Sequence, residues 1–237
     1  KKFLNKLNKR RESKILFCAH AFADAPHYSG IDFIFNDYYH QMEQTIKFIT
    51  KNDKKNLWIF RAHPNSRLLN EMELFHSLVR KYKVNNILVS PKNVPISKLT
   101  QICDAVVTGR GTVGLEFACE GKISILAGFA PYSDFKIAKR AVSKQQYFKF
   151  LTNTDFKKKI SNKKKLIARK ILYVLENGFN LKTIRPQEYK KDKFTSDYFN
   201  KLYQPNYSFD RLLINCHNFL KKDINNNLFF IKLKKLI

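Results

Sequence analysis

The first half of the chain alternates between short apolar runs and segments whose apolar residues recur with helical spacing. Each run has three to five residues, and together they are Ile15–Ala19, Leu57–Phe60, Ile87–Val89, Ala105–Val107 and Ile123–Ala127. The spacing predicts helices at Tyr38–Thr50, Leu68–Tyr82 and Ile96–Ile102, with a short helix after Thr112. Uninterrupted apolar runs of this length are typical of strands buried on both faces of a parallel sheet. The pattern therefore predicts an α/β fold, a Rossmann-like parallel sheet covered by helices on both faces.

The pattern also divides the chain into three parts. Residues 1–13 are polar and basic and are predicted to be a frayed helix or a linker, and residues 14–176 carry the Rossmann-like domain. A long helix is predicted from Asp155 to Leu175 within that domain. Residues 177–237 are predicted to form a helical C-terminal extension, which the prolines at positions 186 and 205 interrupt.

A glycine-rich turn follows the fourth apolar run. Small residues let the backbone approach a ligand closely, and the first amides of the following helix are unpaired donors at a positive dipole end. Such a turn suits a phosphate or pyrophosphate, and Glu116, one turn into the helix, is placed to reach the hydroxyls of an attached sugar. The predicted nucleotide- or phosphate-binding residues here are Thr108, Gly109, Arg110, Gly111, Thr112 and Glu116.

Two other interpretations of this turn are open. The spacing of Gly109, Gly111 and Gly114 matches the dinucleotide fingerprint, but that fingerprint expects an acidic residue about 20 positions later, at the end of the next strand. Here the next strand ends in Ala127-Gly128, so no nicotinamide or flavin cofactor is expected. No metal site is expected either, since no cysteine or histidine pair has ligand spacing. The other interpretation is purely structural: the glycines permit a tight turn and close packing of helix on strand.

Polar residues follow the other predicted strands as well. His63 precedes Pro64, which biases the histidine toward an extended backbone and presents its ring rigidly. A histidinium there would neutralise a leaving phosphate or donate a proton to it, so His63 is the predicted catalytic residue. Arg61 is a candidate anion contact, because arginine binds phosphate bidentately. His20 and Asp24 are candidates for the acceptor side or wall of the cleft. Hydrogen-bonded structural roles for these side chains are the alternative.

The charge of the chain is strongly positive, with 45 Lys and Arg against 19 Asp and Glu and a net charge of +26. Such a field attracts nucleic acid, an anionic membrane face or an anionic substrate. A basic nucleic-acid-binding or membrane-surface-binding module without catalysis is therefore the alternative function. Nucleic acid is the less favoured partner, because no helix-turn-helix, zinc-finger or RNP signature is present. No apolar run approaches the roughly 20 residues of a membrane span and no signal peptide is found, so a cytoplasmic location is expected.

The ordered motifs resemble a known family. The chain has Arg-x-His-Pro after a strand, then Cys103–Thr108 leading into Gly-Thr-x-Gly-x-Glu-x-Ala, then Glu-Gly-Lys and another apolar strand. This order resembles the C-terminal nucleotide-binding half of GT-B glycosyltransferases, in particular the capsule polysaccharide biosynthesis family. The likeness covers roughly residues 14–150.

The resemblance implies an inverting, metal-independent glycosyltransferase that takes a CMP- or UDP-linked sugar as substrate, without a cofactor. It implies that His63 contacts the donor phosphate, that Glu116 holds the ribose or base, and that Gly111 and Thr112 bind phosphate. The acceptor would be a polysaccharide or glycolipid, and the basic surface would contact the inner face of the cytoplasmic membrane.

Two features depart from the family pattern. An N-terminal, acceptor-binding half with the catalytic base is expected to be absent from this chain, and Arg110 stands where Ser or Thr is frequent. Teichoic-acid-type polymerases and non-hydrolysing sugar-nucleotide epimerases share the same pattern and remain alternatives.

Overall fold

The fold is built on one six-stranded parallel sheet. The computed structural model describes residues 2–24, 32–82 and 84–177. Its strand order is β3-β2-β1-β4-β5-β6. The strands are β1 Lys14–Cys18, β2 Leu57–Arg61, β3 Ile87–Val89, β4 Ala105–Thr108, β5 Ile123–Leu126 and β6 Lys139–Arg140. The predicted Rossmann-like parallel sheet is confirmed, and the sixth strand is an addition whose two residues are too few to show a pattern.

Helices connect the strands, with short 3-10 helices at Pro64–Arg67 and Ser133–Phe135. They are α1 Lys2–Asn8, α2 Tyr38–Asn52, α3 Met72–Lys81, α4 Ile96–Ile102, α5 Val113–Cys119, α6 Lys144–Asn153 and α7 Asn162–Asn177. Helix α1 lies within residues 1–13, for which a frayed helix or a linker was predicted. Helix α6 lies in a stretch with no predicted element.

Two helices begin later than their spacing predicts. The helix predicted from Leu68 begins at Met72, because Asn70 takes a left-handed backbone conformation with φ 56° that no helix continues through. The helix predicted from Asp155 begins at Asn162, because the Ser161 hydroxyl accepts the N–H of Lys164 and caps the first turn.

The chain divides into two compact units, Lys1–Val174 and Leu175–Ile237. Apart from its first three residues, the second unit lies outside the described part of the chain, and so does the predicted C-terminal helical extension. Among the described residues, no helix combines the length and apolar composition needed to cross a bilayer.

The sheet buries an apolar cluster on each face. Side chains alternate along the strands, so that Ile15 and Phe17 join one cluster while Leu16 joins the other. Helices α2, α3 and α6 cover the first face with Met42, Phe75, Tyr147 and their neighbours. Helices α1, α4 and α5 cover the second face through Leu7, Leu99 and Phe117. Burial on both faces explains why the strands are continuous apolar runs.

The strand order places a crevice above the centre of the sheet. Because β1 and β4 are neighbours, the connections that leave their carboxyl ends run to opposite sides. In open α/β sheets, ligands bind beyond the carboxyl ends of strands at this point. The segments around Phe33 and Gly128 pair antiparallel across the same edge, where the Ile34 N–H donates to the Ala127 carbonyl at 3.1 Å.

Candidate functional site

The ends of β1 and β4 bring His20 against the glycine-rich turn. The Thr108 hydroxyl donates to the Cys18 carbonyl at 3.0 Å and ties the two strand ends together. Two residues after Thr108 and two after Cys18, the Arg110 N–H donates to His20 Nε2 at 3.0 Å. Residues that lie 90 positions apart in sequence thus form one local structure. The imidazole of His20 fixes the backbone of the turn.

His20 is held in its neutral form. Burial lowers its pKa to about 4, and the neighbouring His63 and Arg110 add to that shift. Since Nε2 accepts the Arg110 N–H, the ring proton is on Nδ1. The ring stacks on Tyr38 with centroids 4.2 Å apart and planes 14° apart. A role of His20 toward an acceptor stays a prediction.

His63 lies beside His20 at the end of β2. Its backbone is extended, with φ −62° and ψ 144°, and it caps the 3-10 helix that begins at Pro64. The ring runs nearly parallel to that of His20, with centroids 6.2 Å apart. Nδ1 accepts the Asn65 N–H at 3.2 Å, so the neutral ring carries its proton on Nε2. In this state His63 is a hydrogen-bond donor, and a histidinium forms only by giving up the Asn65 bond.

Close packing accounts for the glycines of the turn. A Cβ added at Gly109 would lie 2.9 Å from Tyr38 Cε1 and 3.0 Å from His20 Cδ2. One added at Gly111 would lie 3.1 Å from Thr108 Oγ1. Gly114 has no room for a Cβ against the Tyr132 hydroxyl, which donates to the Gly111 carbonyl at 2.5 Å. The structural interpretation of the motif therefore applies, and it leaves the exposed side of the turn open to a ligand.

Helix α5 presents Thr112 and Glu116 on its exposed side. Thr112 stands at the N-cap position without a side-chain cap bond, and its side chain is exposed. Glu116, four residues later, is partly exposed among buried neighbours. Burial raises the pKa of the Cys18 thiol, Arg61 opposes that shift, and the charge of Glu116 adds to it, so Glu116 lies in the neighbourhood of the carboxyl end of β1.

The two arginines of the site make backbone contacts. Arg61 Nη1 donates to the Val94 carbonyl at 2.7 Å and to Ser90 Oγ at 3.4 Å. Arg110 Nε donates to the Phe129 carbonyl at 3.0 Å. Both guanidiniums thus brace loops at the carboxyl edge of the sheet. Their predicted roles as anion contacts stay predictions.

Glu71 is a buried residue that sequence reasoning missed. Its carboxylate accepts the N–H groups of Phe22 at 2.9 Å and Ala23 at 2.6 Å, and so anchors the loop between His20 and Asp24. Asp24 itself is exposed, and its N–H donates to the Ala21 carbonyl. No local signal marks Glu71, because its partners lie 48 and 49 positions away. Tyr38 and Tyr132 were missed for the same reason.

Replacing Glu71 by glutamine is expected to lower the free energy of unfolding by about 2 kcal/mol, because Glu71 is buried and one part-buried backbone N–H loses its charged acceptor. Urea unfolding measures the loss, and hydrogen exchange should show faster exchange at Phe22 and Ala23. Glu73→Gln is the matched control, since Glu73 is exposed on α3 and, among the described residues, forms its ion pair with exposed Arg80. Equal losses in the two variants would contradict the anchoring role.

No protein-family model matches the sequence, and no curated protein matches it. Solved structures match the fold at low identity. They include the beta Kdo 2,4 transferase KpsC of Thermosulfurimonas dismutans, at 12% identity and TM-score 0.41 over 68% of this chain and 44% of that chain. The Anabaena protein HepE in complex with UDP matches at 12% identity and TM-score 0.47 over 74% of this chain and 51% of that chain.

A UDP-GlcNAc 2-epimerase from Neisseria meningitidis, bound to UDP-GlcNAc, matches at 15% identity and TM-score 0.41 over 72% of this chain and 47% of that chain. The chain spans about half the length of these structures. At these identities the likeness extends to the fold and no further. Membership of the capsule polysaccharide biosynthesis family stays a prediction.

Proposed function

We propose that this chain binds the nucleotide-sugar donor of a GT-B glycosyltransferase that builds a capsular or other cell-surface polysaccharide. The donor would be CMP- or UDP-linked, and the acceptor a polysaccharide or glycolipid. One observation carries the proposal: His63, His20 and the glycine-rich turn meet at the crevice of the sheet, with the Arg110 N–H held on His20 Nε2. An arrangement of this kind suits the phosphate of an activated sugar.

The donor phosphate would lie over His20, between His63 and the turn. His63 Nε2–H is a hydrogen-bond donor to a phosphate oxygen in the tautomer that the Asn65 contact favours. Such a bond strengthens as negative charge develops on the leaving nucleotide, so it lowers the barrier of the transfer. The proposed chemistry needs no metal, because charge on the leaving phosphate is met by donors of the protein.

Neutral His20 has a positioning role in this proposal. It adds no charge to the phosphate, and its acceptor nitrogen holds the Arg110 N–H and so fixes the turn. The turn's small residues then allow the phosphate to approach the backbone. Fixing the turn before the donor binds removes part of the ordering cost of binding.

Glu116 would hold the ribose of the donor. It lies on the exposed side of α5, one turn beyond Thr112 at the phosphate end. A carboxylate one helical turn from the phosphate-binding end can accept hydrogen bonds from two neighbouring ribose hydroxyls. The family resemblance assigns the base for the acceptor to another domain, so donor binding is the activity to measure on this chain.

The test is thermal stability of the purified protein against CMP, UDP, GDP and CDP. A nucleotide at about 100 times its dissociation constant should stabilise the protein by about 2.7 kcal/mol. We expect a melting shift with CMP or UDP that His63→Ala and Glu116→Ala each abolish. No shift with any of the four nucleotides would overturn the proposal for this chain.

Matched controls are available on the same elements. Glu120→Ala removes an exposed carboxylate four residues after Glu116, directly after the end of α5, and His76→Ala removes a histidine on α3. Both variants should keep the nucleotide-induced shift. Raising the salt concentration distinguishes donor binding from the alternative function, a basic module that binds nucleic acid or a membrane surface. Binding of a polyanion weakens steeply with salt, whereas binding of one nucleotide responds far less.

A further inference from the structure

One concentration of positive charge lies at the edge of the sheet opposite the candidate site. Contacts place a group of lysines at the amino ends of the strands. Lys157 Nζ donates to the Arg11 carbonyl, just before β1, at 3.3 Å. The Ile160 N–H donates to the carbonyl of Gly121, in the turn before β5, at 2.9 Å. Lys122 Nζ donates to the Cys103 carbonyl, before β4, at 2.7 Å. We call Lys122, Lys139, Lys157, Lys158, Lys159 and Lys164 the amino-edge cluster.

At the amino edge, Asp104, Glu120 and Asp155 stand against the six lysines of the cluster, whereas the two signs of charge are nearly balanced at the carboxyl edge. Asp24, Asp32 and Asp134 lie in its loops together with Arg67, Arg110 and Lys136. Arg140, at the end of β6, lies 4.0 Å from Asp32 and 3.7 Å from Asp134. A donor at this edge therefore accounts for little of the net charge of +26. The amino edge needs an explanation of its own.

The lysines of the amino-edge cluster repel one another. Burial lowers the pKa of Lys122, and the charge of Lys159 lowers it further. Burial likewise lowers the pKa of Lys139, with Lys158 and Lys164 adding to the shift. Within the described ranges, Lys157, Lys158 and Lys159 form no ion pair. A large anionic surface would relieve this repulsion, whereas a small ligand would cover only part of the cluster.

Helix α7 continues this surface with a mixed stripe. Lys163, Leu166, Lys170 and Tyr173 recur at intervals of three or four residues, and therefore share one side of the helix. Leu166 is 55% exposed and Tyr173 is 65% exposed. Lysine between aliphatic and aromatic side chains is typical of a helix that lies in a membrane interface. The phosphates of a nucleic acid would pair with the lysines, but they would not bury an exposed leucine.

We propose that the amino-edge cluster and the stripe of α7 dock the protein on an anionic membrane surface. In this orientation the candidate site, at the opposite edge of the sheet, faces water and is open to a soluble donor. Each lysine near an anionic leaflet adds to the attraction, and the effect is confined to about one Debye length of roughly 8 to 10 Å. The proposal does not depend on which nucleotide the site binds.

Vesicle flotation tests whether the protein docks on an anionic membrane. The full chain should float with vesicles of phosphatidylcholine mixed with phosphatidylglycerol, and stay behind with phosphatidylcholine alone. A triple variant, Lys157→Gln with Lys158→Gln and Lys159→Gln, should bind about a hundredfold more weakly. Leu166→Ser should weaken binding roughly tenfold at unchanged charge. Lys157, Lys158, Lys159 and Leu166 are all exposed, so these variants should fold, and melting curves check that they do.

A charge-matched control comes from the carboxyl edge. Arg67→Gln with Lys92→Gln and Lys136→Gln removes the same three charges from exposed positions and should bind vesicles as the unsubstituted chain does. Equal losses from the two triple variants would overturn the proposal, because net charge alone would then account for binding. It would also be overturned if Leu166→Ser had no effect while a single-stranded RNA homopolymer displaced the protein from vesicles.

Discussion

Lowering the pH from 6.5 to 4 is expected to reduce the free energy of unfolding by about 3 kcal/mol through His20 alone. The pKa of His20 is about 4 in the folded protein, against an ordinary value of 6.5. Between these two values the unfolded chain binds a proton that the folded protein does not. Stability therefore falls as pH decreases through this window, and above about pH 6.5 the histidine has no effect on the pH dependence.

The His20→Gln variant isolates this contribution, since other groups also titrate in the window. A glutamine side chain can place an acceptor oxygen near the position of Nε2, so it can keep the bond from the Arg110 N–H, but it does not titrate. Urea unfolding at steps between pH 7 and 4 should show the unsubstituted protein losing about 3 kcal/mol more than His20→Gln loses. Parallel curves for the two proteins would contradict the assignment. His76→Gln controls for the loss of a histidine elsewhere.

The same titration should affect ligand binding. Protonated His20 has no acceptor at Nε2, so the Arg110 N–H loses its partner and the turn loses its support. Nucleotide-induced stabilisation of the unsubstituted protein should therefore begin to fall near pH 4, where half of the histidine is protonated in the folded state, and should fall further below that pH. The His20→Gln variant should retain the stabilisation to lower pH.

The sheet could be predicted from the sequence because burial on both faces leaves an unambiguous signal. Each strand from β1 to β5 contains an apolar run, interrupted only in β5 by the buried Ser124, and the runs match the strands to within one residue at each end. The start of a helix was less predictable where a single residue sets it. The left-handed Asn70 and the capping Ser161 each moved the start of a helix, and neither alters the apolar spacing.

The candidate site could be predicted only in part. Topology alone places the strand-end residues at one edge, so the proximity of His63, His20 and the turn follows from strand order. The direction of each side chain does not follow from it. Nothing local indicates that His20 accepts the Arg110 N–H, or that Arg61 turns to the Val94 carbonyl. These contacts join residues that lie far apart in sequence, which a single sequence does not reveal.

Gly114→Ala is expected to lower the free energy of unfolding by about 3 kcal/mol, the upper end of the cost of overpacking. The new Cβ would overlap the Tyr132 hydroxyl and lie 3.0 Å from Leu126 Cδ2. Tyr132 is buried and donates to the Gly111 carbonyl, so it cannot move aside without giving up that bond. The substitution should therefore also displace the turn and weaken nucleotide binding. Urea unfolding and the nucleotide-induced melting shift measure the two effects.

The pair Gly114→Ala and Tyr132→Phe forms a double-mutant cycle that tests this cause. Tyr132→Phe alone should cost about 1 kcal/mol, because the Gly111 carbonyl loses one of its two donors and keeps only the Gly114 N–H. In the double variant the missing hydroxyl makes room for the Cβ, although the ring carbon Cζ remains 3.3 Å away. We therefore expect the double variant to be more stable than the sum of the single losses predicts, by about 1 to 2 kcal/mol. Simple additivity would mean that Leu126, and not the Tyr132 hydroxyl, excludes a side chain at position 114, and Leu126→Ala would then rescue Gly114→Ala instead.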